Sequence, residues 1–317
     1  MLFSIIIPVY NRPDEVKELL LSLTNQTDKE FEVIIVEDGS TLMCENICTQ
    51  FSEQLDINYF NKENTGPGDS RNFGAKQAHG EYFLILDSDC IVPENYIMNI
   101  RAELILTPCD AFGGADAAHD SFNDMQKAVN YAMTSFFTTG GIRGGKKDNL
   151  EKFHPRSFNM GIKADVYKDL GGFSDMRYGE DIDFSIRIFE AGYSVRLFPD
   201  AYVYHKRRTN LRKFYRQVFN SGKARIVLWK KHPNSLKFVH FLPSCFVAGS
   251  ILILFLGFLK PAIWGLFAIF CLTVFVDSTL KNKKIIIGFL SIITSFTQLF
   301  GYGLGFLKAI FMTDGNH

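Results

Sequence analysis

Carboxylates recur where apolar runs end. Asp87-Ser88-Asp89 closes the run Tyr82–Leu86. Residues i and i+2 of an extended chain project to the same side, so Asp87 and Asp89 can share a hard divalent cation. Mg2+ or Mn2+ takes one or two protein carboxylates and completes its shell with phosphate oxygens and water. Such a triplet also occurs as a plain turn; its place at the end of the most apolar strand favours the metal. Glu37-Asp38-Gly39-Ser40 closes a second apolar run. A carboxylate there can accept from a base N–H or a ribose hydroxyl, or simply start a turn, where Asp-Gly is common. In NTGPGDSRN (64–72) the glycines let backbone approach a ligand and Arg71 can pair with a phosphate, although a turn and a helix cap use the same letters. Glu180 and Asp181 open a helix after Gly179. Acids there favour the helix dipole, which weakens a base, while burial and a neighbouring carboxylate push the other way. His205 follows Tyr202-Val203-Tyr204. A neutral imidazole there can complete a metal shell or touch phosphate, or be structural.

The elements that carry these residues alternate. Phe3–Val9, 31–36 and Tyr82–Leu86 are almost continuously apolar, as strands buried on both faces of a parallel sheet are. Helical spacing over 13–23, with Pro and acids first, and over 69–78 separates them. This is an α/β layer with right-handed crossovers, and ligands bind outside the carboxyl ends of such strands. The middle, 110–158, is less regular; its GGIRGGKK (140–147) reads as a solvated loop or a flap over substrate. A turn and helix to Gly192 and a short strand over 194–198 follow.

The 317 residues carry 34 basic and 34 acidic side chains, so no overall basic field argues for nucleic acid. The charges are unevenly spread. Residues 1–234 hold 28 basic against 32 acidic, and the remainder is apolar. The six cysteines form no C-x-x-C pair and read as reduced structural thiols. The amino-terminal run reads as a strand, not a signal peptide. Residues 206–237 hold eleven Lys and Arg and no acid. Leu211, Phe214, Tyr215, Val218 and Phe219 share one helix face there, which suits an interfacial segment on anionic membrane lipid or a solvated helix. Three runs, 238–259, 262–280 and 285–311, are each long enough to cross a bilayer. Lys and Arg are rich before the first, sparse at Lys260, rich again at Lys281, Lys283 and Lys284, and absent after the third. The positive-inside rule then gives a multi-pass protein of the cell (inner) membrane, with residues 1–205 cytoplasmic and the carboxyl terminus outside.

SIIIPVYNR, VIIVEDGS, RNFGAKQAHGEYFLILDSD, FNMGIKADVYKDLGGF and GEDIDFSIRIFEAGY, in this order, resemble the family 2 glycosyltransferases of GT-A fold, over about residues 1–205. The tail resembles membrane-attached bacterial members. The resemblance implies a GT-A nucleotide-diphospho-sugar transferase domain with a Rossmann-like, mostly parallel sheet. It implies that Pro8, Tyr10 and Asp38 line the nucleotide pocket, with Arg71 near the base or diphosphate. Asp87 and Asp89 then hold Mg2+ or Mn2+ on the diphosphate, and Ser88 lies beside the donor. Asp181 would be the general base and Glu180 its partner near the acceptor. No Q-x-x-R-W follows the E-D pair, against the processive synthase branch. The implied reaction is an inverting transfer from a UDP- or GDP-sugar to a hydroxyl of a saccharide or lipid-linked acceptor, in cell-surface polysaccharide or glycolipid synthesis.

Two other readings stay open. A polyprenyl-phosphate sugar synthase would need little deprotonation of its acceptor. A non-catalytic nucleotide-sugar-binding membrane subunit is a different class, against which the intact acids at 87/89 and 180/181 argue. A dinucleotide dehydrogenase lacks support, because the first strand ends in PVYNRP rather than G-x-G-x-x-G.

Overall fold

The computed structural model describes residues 1–117, 122–139, 153–206 and 210–311. The glycine- and lysine-rich stretch at 140–147 lies outside them. In chain order the elements are β1 (Phe3–Val9), α1 (Pro13–Thr24), β2 (Phe31–Asp38), α2 (Glu45–Phe51), β3 (Ile57–Lys62), α3 (Pro67–Gln77), β4 (Tyr82–Leu86), β5 (Cys90–Ile91), α4 (Tyr96–Leu106), β6 (Ala111–Ala117), α5 (Asp124–Thr134), α6 (Phe136–Thr139), β7 (Asn159–Lys163), α7 (Ala164–Asp169), α8 (Glu180–Glu190), β8 (Val195–His205), α9 (Leu211–Lys231), α10 (Leu242–Leu259), α11 (Gly265–Asn282) and α12 (Ile285–Phe311). They form two compact units, Met1–His119 with Leu150–Lys206, and Asp120–Asn149 with Arg207–His317.

The first unit is one eight-stranded sheet in the order β3-β2-β1-β4-β7-β6-β8-β5. β3, β2, β1 and β4 run parallel, as the buried apolar runs require. β7 is antiparallel to both β4 and β6, and β5 is antiparallel to β8. The sheet is therefore mixed, with its parallel half first. Alternation along each strand feeds two cores. Phe3, Ile5 and Ile7 pack under α1, α2 and α4, while Ile6, Phe83 and Ile85 pack under α3, α7 and α8.

Several elements differ from expectation for physical reasons. β3 (INYFNK) is an edge strand, half-buried along most of its length, so it lacks a continuous apolar run. β6 holds Gly113 and Gly114, and the short β7 holds Gly161, glycines that interrupt their periodicity. β8 continues past residue 198 to His205 through an irregular register against β6. α5 starts at a capping box: Asn123 accepts from the Gln126 N–H at 2.9 Å and its own N–H donates to Gln126 Oε1 at 3.1 Å.

In the second unit α12 is the hub. Gly301 and Gly305, one turn apart, admit α9: a Cβ at Gly305 would stand 2.0 Å from the Phe219 carbonyl oxygen. Thr294 Oγ1 donates to the Ala128 carbonyl of α5 at 2.9 Å, and Ser278 of α11 meets Ser291 at 2.7 Å. The apolar face expected to meet lipid is partly taken up by protein. Phe214 and Val218 pack on Val129, Ala132 and Met133, leaving Arg212, Lys213, Tyr215 and Arg216 exposed. Sequence shows the stripe but not what covers it. Leu242–Leu259, Pro261–Asn282 and Ile285–Phe311 are each long and apolar enough to cross a membrane.

Candidate active site

The expected residues lie at the carboxyl ends of β1, β2, β4 and β8, on α3 (Arg71) and at the start of α8. Pro8 is half-buried within β1, and Tyr10 just beyond it is 54% exposed. Asn11 adopts a left-handed conformation (φ 54°), and its Oδ1 accepts from the Thr41 and Leu42 N–H groups at 2.8 and 2.9 Å. This ties the end of β1 to the loop after β2.

Glu37 and Asp38 are neighbours on a strand, so they point to opposite faces. Asp38 lies towards the opening of α3. It accepts from Lys62 Nζ at 2.6 Å, the Thr65 N–H at 3.0 Å and the Gly66 N–H at 2.9 Å. Burial opposes its ionisation, but Lys62 and these amides outweigh it and hold the carboxyl below the usual range. Gly39 (φ 67°) permits the turn, since a Cβ there would stand 2.7 Å from the Asn64 nitrogen. Glu37, expected to face the donor, is fully buried on the α2 side. It accepts from the Cys44 N–H at 2.9 Å, Cys44 Sγ at 3.0 Å, Tyr59 at 3.2 Å and Ser40. Its oxygens hold scaffold.

Asp87-Ser88-Asp89 forms a turn, closed by the Cys90 N–H donating to the Asp87 carbonyl at 3.1 Å. The two carboxylates are therefore not aligned as on an extended strand. Asp87 accepts from Arg71 at 2.8 Å. Asp89 is 5% exposed and faces Arg12 on one oxygen and His205 Nε2, at 3.1 Å, on the other. Ser88 is buried between them.

Arg71 is 3% exposed and reaches two acids. Besides Asp87 it donates to Glu180 Oε1 at 2.9 Å. A single guanidinium thus links the end of β4 to the start of α8. Asp181, 6% exposed, accepts from Arg156 Nε at 2.6 Å. Burial raises Glu180 above the usual range, with Asp181 adding and Arg71 only partly offsetting it. Burial also opposes charge on Asp181, but Arg156, Arg71 and the Ile182 N–H hold it below the usual range. The adjacent carboxyls are driven apart, so Asp181 gives up its proton the more readily of the two.

The donor set fits a divalent cation. Asp89, Cys90 and His205 each offer one ligand atom, and the three atoms lie within 4.8 Å of one another. Carboxylate oxygen and imidazole nitrogen suit the first-row divalent ions. The orphaned, buried His205 Nδ1 leaves Nε2 as the atom aimed at Asp89. Asp87, expected to share the metal, is instead held by Arg71. Arg12, Cys90 and Arg156 were not singled out in the sequence. Arg12 follows the end of β1 in PVYNRP, a cation at a strand end that could have been flagged. Cys90 and Arg156 become visible only through pairing and loop contacts distant in sequence.

Comparison with known proteins identifies the family and the fold. The profile of Glycosyl transferase family 2 matches residues 4–171. The chain is 27% identical over 263 residues to glycosyltransferase AglE of Haloferax volcanii, covering 78% of this chain and 80% of that one. It is 31% identical over 177 residues to a poly(ribitol-phosphate) beta-glucosyltransferase of Bacillus spizizenii, covering 52% of this chain but only 28% of the relative. Among solved structures, mannosyltransferase PcManGT of Pyrobaculum calidifontis, in complex with GDP-Man and Mn2+, superposes with a TM-score of 0.65 at 17% identity over 93% of this chain and 86% of that chain. S. aureus TarS 1-349 in complex with UDP-GlcNAc gives 0.52 at 23% identity, over 70% of this chain and 66% of that chain.

Proposed function

The chain belongs to glycosyl transferase family 2, and from that premise we propose that it performs an inverting, metal-dependent transfer of a sugar from a UDP- or GDP-sugar to an acceptor hydroxyl. The observation that carries this reading is the Arg71 bridge, because it joins a donor-side acid, Asp87, to an acceptor-side acid, Glu180, in one hydrogen-bonded chain. Tyr10 and Asp38 border the nucleotide. Asp89 and His205 would hold a divalent cation, Mn2+ or Mg2+, which supplies positive charge beside the leaving diphosphate. Arg12 and Arg71 supply further positive charge at the same strand ends, where a departing anion needs it. Asp181, kept ionised by Arg156, takes the proton of the acceptor hydroxyl. The anomeric carbon passes through an oxocarbenium-like state, and one displacement inverts it. Glu180, with its raised affinity for a proton, donates to or orients the acceptor.

The helical unit supports attachment to a membrane, with the sheet unit on the side where Lys and Arg concentrate, the cytoplasm, and the carboxyl terminus outside. That placement favours a lipid-linked or nascent polysaccharide acceptor. A polyprenyl-phosphate acceptor is the second reading, favoured by the three apolar helices.

Titration of the purified protein in detergent with UDP, GDP and CMP, with and without Mn2+ and beside Asp89→Ala, tests the reading. Metal-dependent binding of one nucleotide, lost in the variant, is the expected result and names the donor class. Binding of none of the three would overturn it, whereas nucleotide binding without transfer from any donor would favour the non-catalytic subunit.

A further inference from the structure

Cys90 stands beside His205 because the backbone puts it there. The two are direct partners in the antiparallel pairing of β5 with β8. Opposed side chains of such a pair lie on one face with Cβ atoms about 4.5–5.5 Å apart. Asp89 immediately precedes Cys90, and the Lys206 N–H beyond His205 donates to the Asp89 carbonyl at 3.1 Å. The strand pairing thus holds the whole tripeptide edge against the end of β8.

Phe158 closes the other side. Its ring stacks on His205 with centroids 4.9 Å apart, and its carbonyl accepts from Cys90 Sγ at 3.5 Å. Cys90 is 1% exposed, while the His205 side chain keeps 17%. An ion can therefore reach the group from the histidine side without unfolding the edge.

Carboxylate and imidazole alone make an unselective site, and a sulfur changes its chemistry. The geometry points to a three-ligand, thiophilic metal site, Asp89–Cys90–His205, that takes Zn2+ or Co2+ in preference to Mg2+. This rests on reading Asp89 and His205 as metal ligands and adds a third, which Asp87, held by Arg71, does not supply. Thiolate favours the softer divalent ions, whereas oxygen sites favour Mg2+. Three mixed protein ligands with one open position is also the arrangement of catalytic zinc. On binding, the Cys90 S–H bond breaks, its proton goes to solvent, and the sulfur lone pair forms the bond to the metal. No redox step is involved.

The test is a Co2+ titration of the full chain in detergent, followed by absorbance, with Cys90→Ser, Cys90→Ala and, as a control thiol, Cys44→Ser. Thiolate-to-cobalt charge-transfer absorption in the near ultraviolet is expected in the wild type and in Cys44→Ser, and none in either Cys90 variant. Displacement of Co2+ should show Zn2+ affinity falling at least about 10–100-fold in Cys90→Ser, the loss that even an outer-shell partner causes. A cooperative thermal transition at the wild-type midpoint in each metal-free variant shows that it is folded. Co2+ binding without the charge-transfer band, a band that survives in the Cys90 variants, or no Co2+ binding at all would overturn the thiol's role. Those outcomes leave the Asp89–His205 reading standing wherever nucleotide binding still requires Mn2+; loss of that requirement in the wild type sinks the broader reading.

Discussion

At the end of β2, Glu37 and Asp38 are tied by local partners: backbone amides, a thiol, two hydroxyls and Lys62. At the end of β4, Asp87 and Asp89 face guanidinium groups that arrive from α3 and from the end of β1. The first arrangement builds a loop, with Glu37 buried inside it and Asp38 at the edge proposed to border the nucleotide. The second sets carboxylates against guanidinium groups, pairs that the diphosphate and metal of the proposed reaction would re-partner. Acid-tipped strands of similar composition thus divide between scaffold and chemistry, and their partners mark which is which.

Four variants break or sharpen that contrast. Asp181→Asn should have the largest effect, lowering kcat by about 10²–10⁴-fold, the usual worth of a positioned base, with nucleotide binding nearly unchanged. A much smaller loss in transfer assays would favour the lipid-phosphate acceptor. Asp89→Ala should lower kcat/KM by about 10²–10³-fold, in line with the few kcal/mol that one charge-stabilising group contributes, and abolish metal-dependent nucleotide binding in calorimetry. Glu37→Gln should do the reverse. An amide N–H₂ facing groups that all donate costs about 1–3 kcal/mol of stability, read as a lower thermal midpoint, with nucleotide affinity retained. A selective loss of nucleotide affinity would return Glu37 to the donor site.

The smallest effect is a displacement along pH. Arg156 is the chief group holding Asp181 below the ordinary carboxylate range against burial. A depressed base stays ionised until pH falls through its low pKa, so the wild type should keep its activity well into acid. Arg156→Gln removes the cation and leaves burial, so the acid limb of kcat/KM should move to higher pH. An unmoved limb would mean that Asp181 is not the titrating base.

The parallel half of the sheet was legible because strands buried on both faces cannot hide: β1, β2 and β4 read directly from their isoleucine and valine runs. β3 was hidden by its half-solvated edge, and β6 and β7 by glycines that remove the side chains on which periodicity depends. The acids of the site were legible by type and place. What each acid faces was not. Whether D-S-D is a strand or a turn, whether Arg71 meets phosphate or carboxylate, and whether Cys90 meets His205 all depend on contacts between distant segments. Two readable signals were passed over: Arg12 at the end of β1 and the N-x-x-Q box opening α5.

The edge pairing of β5 with β8 also sets an order of assembly. β5 is two residues long, lies at the end of the sheet, and has β8 as its one sheet neighbour. As the chain leaves the ribosome, β1 to β4 can pair among themselves while Asp89 and Cys90 wait for a strand not yet made. The half of the site proposed to meet the nucleotide would thus be built first. The proposed metal corner would appear only when β8 docks, so the sheet unit would have to be nearly complete before a donor could be held.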